Sequence, residues 1–231
     1  MLIWINTPNY DSRPFLLLDR DGVINVDRPD YIKHRREFRF YSDALQALRW
    51  LRENRIFVAL ISNQSGLNRG IIPWDDFWDI HEWMVKGIQE AGGDIQGALY
   101  CPHRPEEGCS CRKPSPGMIK AASELFHLSL PETYFIGDRS SDLTAANRAG
   151  CRGVLLDRFA HGTEDLQTHG HVETSPGKHG PEPIERTSAE NSSLNTRHDS
   201  PADATGKPFA SFSSLMDAVA ALSETRRSLK N

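Results

Sequence analysis

Between residues 14 and 157, short runs of β-branched and leucine residues alternate with longer segments of helical periodicity. The short runs predict strands at 15–19, 56–62, 97–101, 133–138 and 152–157. The longer segments predict helices at 42–54, 73–91, 115–127 and 140–149. Strands that alternate with helices favour a mostly parallel sheet covered on both faces. The sequence therefore predicts an α/β fold, a Rossmann-like three-layer sandwich.

The composition divides the chain into three parts. Residues 1–158 carry the predicted strands and helices and form the expected core. Residues 159–207 are rich in Ser, Thr, Gly, Pro and His, and they hold too few large apolar side chains to fold, so we expect a disordered linker or insertion. Residues 208–231 regain amphipathic character and predict a strand and a helix that return to the core. The helix should start near Ser213 and bury Leu215, Met216, Val219 and Leu222.

Charge and hydropathy indicate which classes of partner and which compartment to expect. The formal net charge is −4 and the pI is about 6.1, which gives no reason to expect nucleic acid or an acidic membrane as partner. The N-terminus has no basic region followed by a long apolar run, and no later segment reads as a membrane span, so we expect a cytoplasmic protein. A monomer is the default for one domain of this size.

Two carboxylates follow the first predicted strand of the core. In the sequence LLLDRDGV, Asp19 and Asp21 are one residue apart, and Gly22 lets the chain turn. Alternation in an extended segment directs both side chains to one side, at the strand end where ligands bind in open α/β sheets. The alternative is a solvated turn, in which Asp and Gly are common.

Three further segments carry polar side chains at a strand end or just before a helix. They suit phosphate and Mg²⁺, since a hydroxyl and an amide can bind a phosphate oxygen, cations offset its charge and carboxylates bind the metal. Each segment alone has a simpler explanation, a capped turn, a surface charge or a helix N-cap. The residues are Ser62 and Asn63, Arg112 and Lys113, and Asp138 with Asp142 one helical turn later.

These segments resemble, in order and position, the four motifs of the haloacid dehalogenase-like (HAD) superfamily. The matching residues are Asp19-Arg20-Asp21-Gly22, Ser62, Lys113, and Gly137-Asp138 with Asp142. The resemblance implies a phosphatase in which Asp19 attacks phosphorus and forms an aspartyl-phosphate. It implies that Asp21 is the general acid and base, and that Ser62 and Lys113 hold the transferring oxygens. It further implies Mg²⁺ bound by Asp19, the backbone carbonyl of Asp21, and Asp138.

The segment CPHRPEEGCSCRKP contains a second metal-binding pattern. Three cysteines and one histidine, Cys101, His103, Cys109 and Cys111, can close a tetrahedral zinc site that leaves no open position, so this zinc should be structural. The alternative is a loop of unrelated cysteines. Because Arg112 and Lys113 follow directly, we expect zinc to fix the loop that presents these cations.

Within the superfamily, the zinc loop with RDGVIN, NQSGLNRG and RKPSPGM resembles the branch that contains D-glycero-D-manno-heptose 1,7-bisphosphate phosphatases and histidinol phosphatases. This resemblance implies a small phosphorylated metabolite as partner and no large cap domain, with residues 25–40 as a flap. NQSGLNRG and the Pro-Gly of KPSPGM favour the heptose bisphosphate, which is the substrate we expect, with Arg112 contacting it and Asn63 helping to orient it. The short zinc loop and Arg139 favour histidinol phosphate. An inactive zinc-binding scaffold and a phosphotransferase are the alternatives of other classes.

Overall fold

A computed structural model of the protein describes residues 1–6, 13–158 and 210–228. The predicted linker 159–207 lies outside the described residues. In chain order the elements are β1 (Leu2–Ile5), β2 (Phe15–Leu18), α1 (Ser42–Glu53), β3 (Phe57–Asn63), α2 (Trp74–Glu90), β4 (Gly97–Cys101), α3 (Gly117–Phe126), β5 (Tyr134–Gly137), α4 (Ser140–Ala149), β6 (Arg152–Leu156), β7 (Ala210–Phe212) and α5 (Leu215–Ser228). The helices and strands predicted between residues 14 and 157 are all present, with ends that differ by two residues at most.

The strands form one seven-stranded sheet in the order β1-β4-β3-β2-β5-β6-β7. All neighbouring pairs are parallel except β1 and β4, which are antiparallel with Leu2 opposite Tyr100. The sequence analysis missed β1, because LIWI is only four residues long and half exposed. The central strands β2, β3 and β4 are buried on both faces, which produces their continuous apolar runs.

Helices cover both faces of the sheet, as predicted. One core joins α1, α2 and α5 to the sheet through side chains such as Leu48, Met84 and Val219. The other joins α3 and α4 through Ile119 and Ala146. Two apolar layers around one sheet make the three-layer sandwich.

Helix α2 shows how spacing selects the buried face. Its buried side chains recur three or four residues apart, and two acidic residues in its first turn suit the positive end of the helix dipole. The buried residues are Phe77, Ile80, His81, Met84, Val85 and Ile88, and the acidic ones are Asp75 and Asp76.

The C-terminal segment returns to the core. Strand β7 pairs with β6, and α5 contributes buried Leu215 and Val219 to the α1 side. Met216 and Leu222, the other two predicted apolar contacts, are partly buried against the same core. Helix α5 begins two residues after the predicted start. None of the helices in the described residues combines the length and apolar character that a membrane crossing requires.

Candidate active site and zinc-binding loop

A cleft of about 550 Å³ opens at the carboxyl ends of β2 and β3. Most of the polar residues predicted to form a site line it, namely Asp19, Asp21, Ser62, Asn63, Arg112, Lys113 and Asp142. Asp138 lies directly behind, because its carboxylate, that of Asp19 and that of Asp142 place one oxygen each within 4.8 Å of one another. Four separate segments therefore meet at one edge of the sheet.

A buried ammonium group joins two of these carboxylates. Lys113 Nζ lies 2.7 Å from Asp19 Oδ2 and 2.8 Å from Asp142 Oδ1, and it donates to the carbonyl oxygen of Ile61 at 2.8 Å. Burial raises the pKa of Asp19 to about 6, although Lys113 opposes the shift. The backbone N–H of Arg20 donates to Asp19 Oδ1 at 2.7 Å, which leaves Asp19 fixed at the floor of the cleft.

The carboxylate cluster fits a hard divalent cation. Asp138 Oδ1 is buried without a hydrogen-bond donor among the described residues, and burial together with the charge of Asp19 raises the pKa of Asp138 to about 8. Three carboxylates facing one ammonium leave an excess of negative charge that Mg²⁺ would balance with oxygen ligands. Asp19 and Asp138 are the carboxylates that the sequence predicts as magnesium ligands. Asp142 adds a third to this cluster.

Two glycines allow the close approach of these carboxylates. A Cβ atom on Gly22 would lie 2.1 Å from Asp138 Oδ2, and one on Gly137 would lie 2.3 Å from the Cβ of Asp142. Gly22 also has a φ of +78°, which favours glycine. Any side chain at either position would displace the carboxylate cluster.

Three polar residues that the sequence analysis did not single out hold the Asp21 carboxylate. Arg20 donates through Nε and Nη2 at 3.2 and 2.9 Å, Asn25 donates at 2.9 Å and Gln64 at 2.8 Å. Burial opposes ionisation, but the Arg20 guanidinium outweighs it with the help of Asn25 and Gln64, so the pKa of Asp21 is lowered. Arg20 and Asn25 lie within the segment RDGVIN and Gln64 within NQSG, and these positions are the indication of a role that the sequence contains. In the free site Asp21 is therefore a carboxylate.

The remaining predicted residues lie around the same cleft. Ser62 is buried, and its Oγ accepts from Gln64 Nε2 at 3.1 Å. The side-chain amide of Asn63 bonds the backbone of Lys113 in both directions, at 3.0 and 3.1 Å. Arg112 lines the cleft and donates to the carbonyl oxygen of His103 at 3.2 Å. Asn63 and Arg112 thus tie the loop that carries Lys113 to β3 and to the Cys/His cluster.

The Cys/His cluster has the dimensions of a tetrahedral zinc site. The three sulfurs lie 3.4 to 3.6 Å apart, and His103 Nδ1 lies 3.5 and 3.3 Å from the sulfurs of Cys101 and Cys111. Zn–S bonds of about 2.3 Å in a tetrahedron place sulfurs roughly 3.7 Å apart. Burial raises the pKa of the Cys101 thiol, a cost that a bound cation would offset. Cys101, His103, Cys109 and Cys111 therefore fit one zinc ion.

We expect Cys109→Ser to remove zinc and to lower both the melting temperature and the turnover of phosphomonoesters. Zinc bound per chain, measured by metal analysis, should fall from about one to near zero, because the substitution removes one of the thiolates that close the structural site. Turnover should fall because Arg112 and Lys113 follow the cluster directly. Cys151→Ser is the matched control, because Cys151 is a buried thiol that bonds the Ala146 carbonyl oxygen. Unchanged melting and turnover after loss of zinc would contradict a structural role.

The predicted flap lies over the cleft. Residues Asp27, Arg28 and Tyr31 line it from this side, and the Arg139 guanidinium forms an ion pair with Asp27. An isolated β-bridge between Asn25 and Phe40 joins the two ends of the flap. In the part of the chain that the structure describes, this flap and the zinc loop border the cleft, and neither is a separate domain.

Comparison with known proteins gives the class. A HAD-hydrolase-like family model matches residues 110–180. The D-glycero-beta-D-manno-heptose-1,7-bisphosphate 7-phosphatase of Pseudomonas aeruginosa is 39% identical over 145 residues, which are 63% of this chain and 82% of that protein. The enzyme of the same name from Neisseria meningitidis serogroup A is 36% identical over 156 residues, 68% of this chain and 83% of that protein. This chain belongs to the HAD-like phosphatases.

Two solved structures are similar to this chain and give the same class. The D,D-heptose 1,7-bisphosphate phosphatase of B. bronchiseptica, complexed with magnesium and phosphate, is 36% identical with a TM-score of 0.61, over 62% of this chain and 80% of that one. A putative HAD-like phosphatase from Mesorhizobium loti is 30% identical with a TM-score of 0.62, over 67% of this chain and 78% of that one. The similarity thus extends over most of the length of these structures.

Proposed function

We propose that this protein hydrolyses the 7-phosphate of D-glycero-D-manno-heptose 1,7-bisphosphate, with magnesium, through an aspartyl-phosphate. The observation that carries the proposal is the position of Asp19, which lies beside Lys113 at the floor of a cleft that Asp21 also lines. We infer the identity of the substrate from the similarity to heptose bisphosphate phosphatases, which are 34 to 40% identical to this chain.

Each residue of the cleft has a proposed part in the first half-reaction. An oxygen of Asp19 attacks phosphorus, and the bond from phosphorus to the sugar oxygen breaks. Asp21 gives a proton to the leaving alkoxide, so it must be protonated when substrate is bound, and the charge of the phosphate dianion favours that form. Lys113 and Ser62 bind the transferring oxygens, and Asn63 and Arg112 orient the substrate.

The second half-reaction restores the enzyme. Asp21, now a carboxylate, takes a proton from a water molecule that attacks the aspartyl-phosphate. The bond from phosphorus to the Asp19 oxygen breaks and inorganic phosphate leaves. Magnesium held by Asp19, Asp138 and the backbone carbonyl of Asp21 would neutralise phosphate charge and so allow a carboxylate to approach it. Arg20, Asn25 and Gln64 keep the Asp21 side chain directed into the cleft.

Phosphate release from heptose 1,7-bisphosphate and from histidinol phosphate, measured side by side with Mg²⁺, tests the substrate. We expect kcat/KM for the heptose bisphosphate to be at least about 100-fold higher, which corresponds to roughly 2.7 kcal/mol of differential binding in the transition state. Phosphorus NMR should show loss of the 7-phosphate. A preference for histidinol phosphate would favour the second substrate, which Arg139 after Asp138 suggests. Transfer to added alcohols instead of water would indicate a phosphotransferase.

We further propose that the protein works as a monomer in the cytoplasm. The cysteines support the cytoplasmic location, since three thiols gathered at a metal site and one buried thiol suit a reducing compartment. Light scattering during gel filtration would distinguish a particle mass near 26.0 kDa, that of one chain, from the mass of a dimer.

A further inference from the structure

Arg158, two residues after the end of β6, reaches the loop that carries Asp21. Its Nε donates to the carbonyl oxygen of Gly22 at 3.0 Å, and its Nη2 donates to that of Val23 at 2.7 Å. These are the two residues that follow Asp21 in the chain. One guanidinium therefore fixes two successive carbonyl groups directly behind the cleft.

The Arg158 guanidinium is itself held in place by its surroundings. Its Nη1 lies 2.9 Å from Asp43 Oδ1, and its central carbon lies 3.6 Å from the centre of the Tyr41 ring. The second oxygen of Asp43 accepts from the backbone N–H of Leu215, at the start of α5. The side chain is only 10% exposed. Its planar, forked donor group has a single orientation here, which a flexible ammonium would not reproduce.

The loop has backbone hydrogen bonds of its own, including one from the Gly22 N–H to the carbonyl oxygen of Asn25 at 2.8 Å, but none of them reaches the two carbonyl groups that Arg158 binds. The backbone N–H groups of Val23, Ile24 and Asn25 all point to the carbonyl oxygen of Arg20. Gly22, in contrast, lies against the Asp138 carboxylate, where no Cβ atom would fit. A shift of the Gly22 peptide therefore moves Asp21 on one side and presses on Asp138 on the other.

We propose that Arg158 is a positioning residue for the phosphatase reaction, which holds the Asp21 loop at the distance from Asp138 that catalysis needs. The inference rests on the proposed function. Among the described residues, Arg158 is neither part of the cleft lining nor part of the carboxylate cluster, so it acts through Gly22 and Val23. Partners in the shell behind metal ligands typically contribute about 10- to 100-fold to metal affinity or activity.

The test compares Arg158→Met and Arg158→Lys with wild type. In both variants we expect kcat to fall, by about 10- to 100-fold in Arg158→Met and less in Arg158→Lys, with KM nearly unchanged. The assay uses whichever of heptose 1,7-bisphosphate, histidinol phosphate and p-nitrophenyl phosphate the wild type hydrolyses fastest. Independently of turnover, calorimetric titration with Mg²⁺ should show a dissociation constant about 10-fold higher in Arg158→Met.

Arg152→Met is the matched control, because Arg152 also lies over a tyrosine ring and donates to the Tyr134 hydroxyl, but far from the loop. Circular dichroism gives the folded fraction of each variant at the assay temperature. Activity that falls only in proportion to that fraction, or wild-type kcat and Mg²⁺ affinity in Arg158→Lys and Arg158→Met, overturns the inference. If Arg158→Met does not fold, Arg158→Lys decides. If wild type hydrolyses none of the substrates, the proposed function fails, and the Mg²⁺ titration alone decides the role of Arg158.

Discussion

Asp19→Asn should abolish phosphate release, with kcat lowered by at least about 10⁴-fold, the scale of loss for removal of a nucleophile. The amide cannot form the acyl-phosphate, and it leaves Lys113 with Asp142 as its one carboxylate partner among the described residues. The expected loss exceeds anything attributable to altered folding. Phosphate release from heptose 1,7-bisphosphate at saturating Mg²⁺ measures it.

The melting temperature should change little in Asp19→Asn, although the activity is lost. Burial raises the pKa of Asp19, so its ionised form is costly in the folded state, and Asn removes that cost together with one ion pair. We therefore expect a melting temperature within a few degrees of wild type. Asp75→Asn, an exposed carboxylate at the start of α2, is the matched control and should keep full activity. Substantial turnover in Asp19→Asn would indicate a different nucleophile, and the absence of any wild-type turnover would favour the inactive scaffold.

One sequence pattern, a continuous apolar run followed by a polar residue, predicted both the sheet and the site. Strands buried on both faces need continuous apolar sequence, so β2, β3 and β4 were visible as runs, and the first polar residue after a run marked a strand end. Parallel strands have their carboxyl ends at one edge, which is why Asp19 and Ser62 could be assigned to the same cleft.

The contacts behind the site were not predictable in this way. Arg20 and Gln64 are polar residues beside motif positions, and their sequence positions do not say that they converge on Asp21. Arg158 is 136 residues from Gly22 in the chain, and its partners there are backbone carbonyls, which leave no trace in side-chain identity. Sequence patterns report burial and local geometry, whereas these contacts depend on the tertiary arrangement of loops.

The role of Lys113 was predictable only in part. Its position before α3 predicted a phosphate ligand, but it did not predict a buried charge between two carboxylates. Its side chain is 2% exposed and lies between Asp19 and Asp142. Removing one partner of a buried ion pair costs about 3 to 5 kcal/mol, because the remaining charge keeps its desolvation penalty. Without Lys113, the carboxylates of Asp19 and Asp142 would both lose their ammonium partner, next to the carboxylate of Asp138.

We therefore expect Lys113→Met to lose both activity and stability. For a protein of this size, about 3 to 5 kcal/mol lowers the melting temperature by roughly 10 °C. Lys120→Met, on the exposed side of α3, is the control and should change neither quantity. Thermal unfolding followed by circular dichroism, with phosphate release measured well below the transition, keeps the two effects apart.

The double variant Lys113→Met/Asp142→Asn separates the structural role of Lys113 from its catalytic one. The Asp142→Asn change removes one of the unpaired charges, and the amide oxygen it introduces could still accept from the Arg139 N–H that Asp142 now caps. The melting temperature should therefore recover most of the loss, which a double-mutant cycle expresses as a coupling free energy between the two positions. Activity should stay low, because no ammonium from Lys113 then faces the phosphate. Recovery of activity together with stability would show that Lys113 only neutralises Asp142 and does not act on the substrate.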